Sequence, residues 1–199
     1  MKLKVFISYS HLDNSPENQY IEVFKRHLAP LKNNGLIEEW YDRLILGGEN
    51  FRKIIGRNLE KADIVCLFIS ASFLNSPECI NETKKALALK KIKGVPVVPI
   101  ILSPCGWIDD SDLKDLLAFP FEGKPVSGFS DKDAAWHEVY EGIKKIIEKE
   151  QKIKQLSLND LCKSFLLDAE LLAKAHSRKE TVTLNDIYIN TELEKIDIS

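Results

Sequence analysis

The chain has 199 residues, 44% of them hydrophobic and 29% charged, with a formal net charge of −2. That length allows one core of ordinary domain size with an appendage. The charge balance supplies no basic excess for nucleic acid and no cationic block for an anionic membrane. Cys66, Cys79, Cys105 and Cys162 have neither CxxC spacing nor histidine companions at metal-ligand distances, so they read as free thiols in a reducing compartment, and no metal site is expected. Met1 to Ser8 runs into a strand pattern instead of a signal peptide, and no apolar run reaches the ~18 residues of a membrane span. A cytoplasmic protein without membrane contact is therefore expected.

Leu3 to Tyr9 reads as a short apolar strand, and Ser10 to Pro16 as a polar turn. From Glu17 to Lys32, Tyr20, Ile21, Phe24, Leu28 and Leu31 recur at helical spacing, and Asn33-Asn34-Gly35 stops the helix. Ile37 to Tyr41 forms a second strand, and Asp42 to Glu49 a loop whose pair Gly47-Gly48 permits backbone angles other residues avoid. Phe51, Ile54, Ile55 and Leu59 mark a second helix.

Asp63 to Ser70 is a continuous apolar run, as expected of a central strand covered on both faces. Ser76 then caps a helix with Pro77 at its first position, running to about Lys93 and ended by Gly94. Its first turns carry Glu78 and Glu82, four residues apart and so on a shared helix face. Acidic groups at a helix start are favoured by the helix dipole, which is reason enough for both. Val95 to Leu102 is a fourth strand bracketed by prolines, Asp112 to Leu117 a short helix, and Lys124 to Val126 a brief fifth strand. Lys132 to about Lys154 is a long helix with Ala135, Val139, Ile143, Ile146 and Ile147 on one stripe.

Alternating strands and helices predict an α/β fold, a flavodoxin-like doubly wound parallel sheet of five strands in the order 2-1-3-4-5. Ligands of such sheets bind at the carboxyl ends of the strands, near the switch point between strands one and three. Three pieces meet there: the loop after Tyr9, the loop from Asp42 to Glu49, and the segment from Ser70 to Glu82. The domain covers 1–152, and 153–199 is a short, mainly helical extension. Ser157 to Ala175 has the pattern of one helix or a pair, and Thr181 to Ile189 alternates weakly like a strand. The extension is too short for a core of its own. It packs on the domain, bridges protomers or begins a longer natural chain.

Several chemistries are excluded by missing motifs. No Gly-rich turn follows the first strand, and Gly123-Lys124-Pro125 lacks the Ser or Thr and upstream glycine of a P-loop. A phosphoacceptor receiver would need an acidic pair after strand one and an aspartate ending strand three, where Ser10-His11 and Ser70 stand. No GxSxG nucleophile elbow occurs.

Four spaced blocks occur in order: Val5-Phe6-Ile7-Ser8-Tyr9-Ser10; Asp42 with Gly47-Gly48 and Phe51; Ala62-Asp63-Ile64-Val65; and Ser76-Pro77-Glu78-Cys79-Ile80-Asn81-Glu82. Together they resemble a Toll/interleukin-1 receptor (TIR) domain over roughly residues 1 to 150. Pro99 to Leu102, Cys105-Gly106-Trp107 and Pro120 to Val126 are similar to its bacterial branch. One class of that family only self-associates, as adaptors. The other cleaves NAD+ at the nicotinamide–ribose bond, with its glutamate in an S-x-x-C-x-x-E pattern that Ser76, Cys79 and Glu82 fill. The resemblance thus implies Glu82 as the catalytic residue and Cys79 as a packing residue. It implies substrate contacts from Tyr9, Ser10 and His11 after strand one, from Asp42, Gly48 and Phe51 of the second loop, and from Ser72 and Glu78. This sequence departs from the family at Ser10 and His11, where some members carry basic residues, and at Glu78, where an aromatic often stands.

The chemistry fits one carboxylate. Nicotinamide leaves NAD+ as a neutral ring, so no acid need protonate it, unlike an ordinary glycoside with its two carboxyl groups. An ionised Glu82 would stabilise the ribosyl cation and orient its hydroxyls. The resemblance further implies NAD+ as substrate, with no separate cofactor, and homo-oligomers through TIR–TIR contacts that raise activity. The expected product is ADP-ribose or a cyclic isomer, in bacterial antiphage defence signalling. The other reading is a non-catalytic interaction module. Phe165 to Tyr188 resembles the connector that precedes a NACHT-type ATPase in some bacterial sensors, which would make such a domain a partner.

Overall fold

A computed structural model describes residues 2–16, 18–38 and 56–155. The chain divides into a unit over Met1–Gln151 and a second over Lys152–Ser199. The predicted second loop with Asp42, Gly48 and Phe51, most of the second strand, and the extension beyond Gln155 lie outside the described residues.

Strands β1 (Val5–Ser8), β2 (Ile64–Ile69) and β3 (Val97–Ile101) form a parallel sheet in the order β1-β2-β3. Val5 pairs with Ile64 and Ser8 with Leu67, while Val65 pairs with Val97 and Ile69 with Ile101. Parallel bridges extend both sides, Leu3 to Ile37 beyond β1 and Ile100 to Phe119 beyond β3. The lateral order is that of the flavodoxin-like sheet predicted from the alternation of elements.

Every residue of the three strands is buried, and their period of two divides the core between the sheet's faces. Val5, Ile7, Ile64, Cys66, Phe68, Val98 and Ile100 share one cluster with Ile21, Phe24, Leu28 and Leu31 of helix α1 (Tyr20–Asn33). Trp136, Val139, Ile143 and Ile147 of the long helix Lys132–Gln155 join them. Phe6, Val65, Leu67, Ile69, Val97 and Ile101 lie in the other cluster. It also holds Leu59, from the helical stretch 56–60, Phe73 of the short helix α2 (Ala71–Leu74), and Cys79 and Ala86 of helix α3 (Pro77–Lys93). The helix Lys132–Gln155 is α4. The sheet is doubly wound.

Local chemistry sets the helix ends. Ser76 Oγ accepts from the Cys79 amide at 3.3 Å with proline in the first turn, and Gly94 closes α3 with a left-handed φ of 72° and a bond from its N–H to Lys90 O at 2.9 Å. Helix α1 begins later than the predicted Glu17. Asn18 and Gln19 both donate backbone bonds to Ser15 O in a turn, and Asn14 Oδ1 accepts from the Ile21 amide at 3.3 Å, so a side chain from upstream caps the helix.

Two predicted elements after β3 are corrected. Residues 111–116 are turns with bonds such as Leu113 N to Asp110 O at 3.3 Å, not a helix. The fifth strand contact is made by Phe119, while Lys124 to Val126 leads into a 3-10 turn, Val126–Gly128. Phe119 donates to Pro99 O and accepts from Ile101 N, both at 2.8 Å. Pro99 has no N–H to donate, so the ladder cannot continue on the amino-terminal side of Phe119.

Candidate functional site

The carboxyl ends of the strands gather the polar groups. Helix α3 buries Cys79, Glu82, Thr83 and Ala86, a spacing of three and four that makes one stripe facing the sheet. Glu82 therefore sits on the inner stripe and is only 6% exposed, whereas Glu78 is exposed and accepts from Ser76 Oγ at 3.3 Å. The two glutamates share a sequence spacing but not an environment. A carboxylate kept from water in this way needs partners. Ser8 at the end of β1 supplies one, its Oγ donating to Glu82 Oε2 at 2.5 Å. Thr83 Oγ1 is turned back on its own helix, donating to Cys79 O at 2.9 Å.

Ser8 lies two residues from Phe6 and so on the α3 face of the sheet. Tyr9 falls on the opposite parity. Its ring is 1% exposed, within the cluster on the α1 and α4 side, and meets His11 edge to face at 5.5 Å. Ser10 is buried and its carbonyl accepts from Asp13 N at 3.0 Å, and His11 is exposed. Ser8 and Glu82 thus meet directly, Ser10 and His11 lie in the adjoining loop, and the Tyr9 ring points into the core.

A second polar pair ties the neighbouring loops. Ser70 Oγ donates to Asp13 Oδ2 at 2.5 Å and accepts from the Phe73 amide at 2.9 Å, so one hydroxyl caps α2 and anchors the loop after β1. Ser72 also hydrogen-bonds Asp13. Burial raises the Asp13 carboxyl above its ordinary value, against the opposing pull of the two serine hydroxyls. The Cys105 thiol, in the loop after β3, is raised by its own burial and by the Asp13 charge. Ser8, Asp13 and Ser70 were missed by motif reasoning. Their signal was a small polar residue ending an apolar strand, or an acid in the turn that follows. Among the described residues no cluster of His, Cys, Asp and Glu is arranged to hold a metal, and no helix is long and apolar enough to cross a membrane.

A comparison with family models matches the TIR domain over residues 5–138. The chain belongs to the TIR-domain family. The match spans β1 through the first turns of α4 and includes both Ser8 and Glu82. The TIR domain is also similar to a Sinorhizobium fredii protein called uncharacterized protein y4lF, 34% identical over 141 residues. That alignment covers 70% of this chain and 42% of the relative, so the chain spans less than half of the relative's length.

Proposed function

We propose that this TIR domain hydrolyses NAD+ at the bond between nicotinamide and ribose. The observation that carries the reading is Glu82, placed by α3 on its inner stripe at the carboxyl end of the sheet with Ser8 bonded to one oxygen. A helix-start carboxylate serving only the dipole would gain nothing from leaving water. A carboxylate fixed and mostly desolvated stabilises a developing cation more strongly than one in solvent.

In the reaction, the bond from ribose C1′ to the nicotinamide nitrogen breaks and both electrons leave with nicotinamide. Water adds to C1′ and loses one proton, so NAD+ and water give nicotinamide, ADP-ribose and H+. Capture by adenine or a ribose hydroxyl instead of water gives a cyclic isomer. Glu82 faces the cation and orients the ribose hydroxyls. Ser10 and His11 of the loop after β1 and Ser72 of α2 contact the substrate, as do Asp42, Gly48 and Phe51. Self-association through TIR–TIR contacts raises the activity, in a bacterial antiphage response triggered by a sensor domain or a partner chain.

The test is release of free nicotinamide from NAD+ by concentrated protein, for wild type, Glu82→Ala and Glu82→Gln, with thermal melts of each. The variants should lose about 10²-fold or more of the rate while still melting cooperatively. Equal traces, or no nicotinamide from assembled wild type, would leave a non-catalytic interaction module with a structural glutamate.

A further inference from the structure

We infer that Ser8 is the positioning residue of this site, holding Oε2 of Glu82 and so fixing the orientation of the carboxylate that meets the ribose. The inference rests on the NAD+-cleaving reading above and adds a residue to it. Ser8 is fully buried at the end of a strand whose other members are Val5, Phe6 and Ile7. A hydroxyl in that setting is costly unless it is hydrogen-bonded, and an apolar residue would fill the place more cheaply if packing were the only requirement. Its partner lies 74 residues away on another element, at 2.5 Å, within the range of a hydroxyl bonded to an ionised carboxylate.

The backbone gives the pair its geometry. Ser8 is paired with Leu67 of β2, so its Cα is fixed by the central ladder, and its parity aims the side chain at α3. Glu82 is fixed from the other side, between Cys79 and Ala86, which are both fully buried on the same helix stripe. The glutamate χ angles are the remaining freedom, and the serine hydroxyl restricts them. With Oε2 so held, the orientation of the carboxylate is set from the sheet. That orientation matters in the transition state, when charge develops at C1′, and little for ground-state binding of the nucleotide.

Ser8→Ala, Ser8→Thr and wild type are compared by nicotinamide release over a range of NAD+ concentrations, with thermal melts and with Glu82→Gln in parallel. Ser8→Ala should lower kcat about 10- to 100-fold, with KM within about threefold of wild type, because hydrogen bonds to a charged group lie in that range of effect. Ser8→Thr keeps the hydroxyl on a β-branched side chain suited to a strand and should recover most of kcat. A Ser8→Ala enzyme with wild-type kcat, or one impaired in KM alone, overturns the inference while Glu82→Gln still reports on the reaction. Ser8→Thr as impaired as Ser8→Ala, with an unchanged melt, also overturns it. Wild type that releases no nicotinamide overturns the inference together with the proposed function.

Discussion

Gly142 lies within α4, and two physical rules disagree about replacing it with alanine. Helix propensity favours the change by about 1 kcal/mol, since glycine is a poor interior residue. The structure opposes it. A Cβ on Gly142 would stand 2.3, 2.4 and 2.7 Å from three atoms of the Phe119 ring. Carbon atoms settle near 3.5 Å, so the ring must withdraw by roughly 1.2 Å. Its backbone cannot follow, because Phe119 is bonded at 2.8 Å to both Pro99 and Ile101. Turning the ring instead forces it off its rotamer and against the core cluster it packs on. Overpacking of this kind costs about 1–3 kcal/mol. The expected net effect of Gly142→Ala is a loss of about 1 kcal/mol, read as a lower urea midpoint at unchanged slope. In a Phe119→Ala background the clash is gone and the same substitution should stabilise by up to about 1 kcal/mol, a coupling of about 2 kcal/mol across the cycle. A rise in stability when Gly142→Ala is made alone would refute the reasoning.

Asp13 gives a pH-dependent prediction. Its folded carboxyl is raised above 3.8 by burial, and the groups whose titration is coupled to it, Tyr20 and Cys105, stay neutral in acid. The folded state therefore binds more protons than the unfolded one just above pH 3.8, and the side chain's contribution to stability falls as pH rises through the folded value. Asp13→Asn keeps an oxygen to accept from Ser70, so its stability relative to wild type should grow as pH rises from 3.8 through the folded value and level off above it; urea titrations showing that difference shrink would mean the serine hydroxyls outweigh burial. Gly94→Ala meets no atom within 4 Å but must adopt a φ of 72°, so it should cost about 1 kcal/mol in thermal or urea unfolding through the backbone alone. A neutral result would show that the end of α3 relaxes.

The elements legible in the sequence were those whose signals are local. Ile64 to Ile69 could be read as central because all its residues are apolar, and both ends of α3 because Ser76, Pro77 and Gly94 each act within one turn. The candidate glutamate was legible from its motif, but not its setting, because dipole and spacing treat Glu78 and Glu82 alike while the helix stripe separates them. Ser8 was overlooked in favour of Tyr9, its neighbour of opposite parity, because the partner that gives the hydroxyl its meaning is 74 residues distant. The fifth strand was misplaced for a similar reason. Both stretches carry a proline, Pro120 and Pro125, so local composition does not single one out, and it is Phe119 that reaches Pro99 and Ile101.

Those prolines also bear on how copies of the domain can gather. Phe119 directs both its backbone groups to β3, and the following residue, Pro120, has no N–H to offer outward. An incoming strand would therefore find no repeating row of donors and acceptors to copy on this side of the sheet. Any ordered assembly that uses this end of the domain must be read by helices, side chains and loops, whose shapes can be selective, and not by backbone ladders, which accept almost any extended chain.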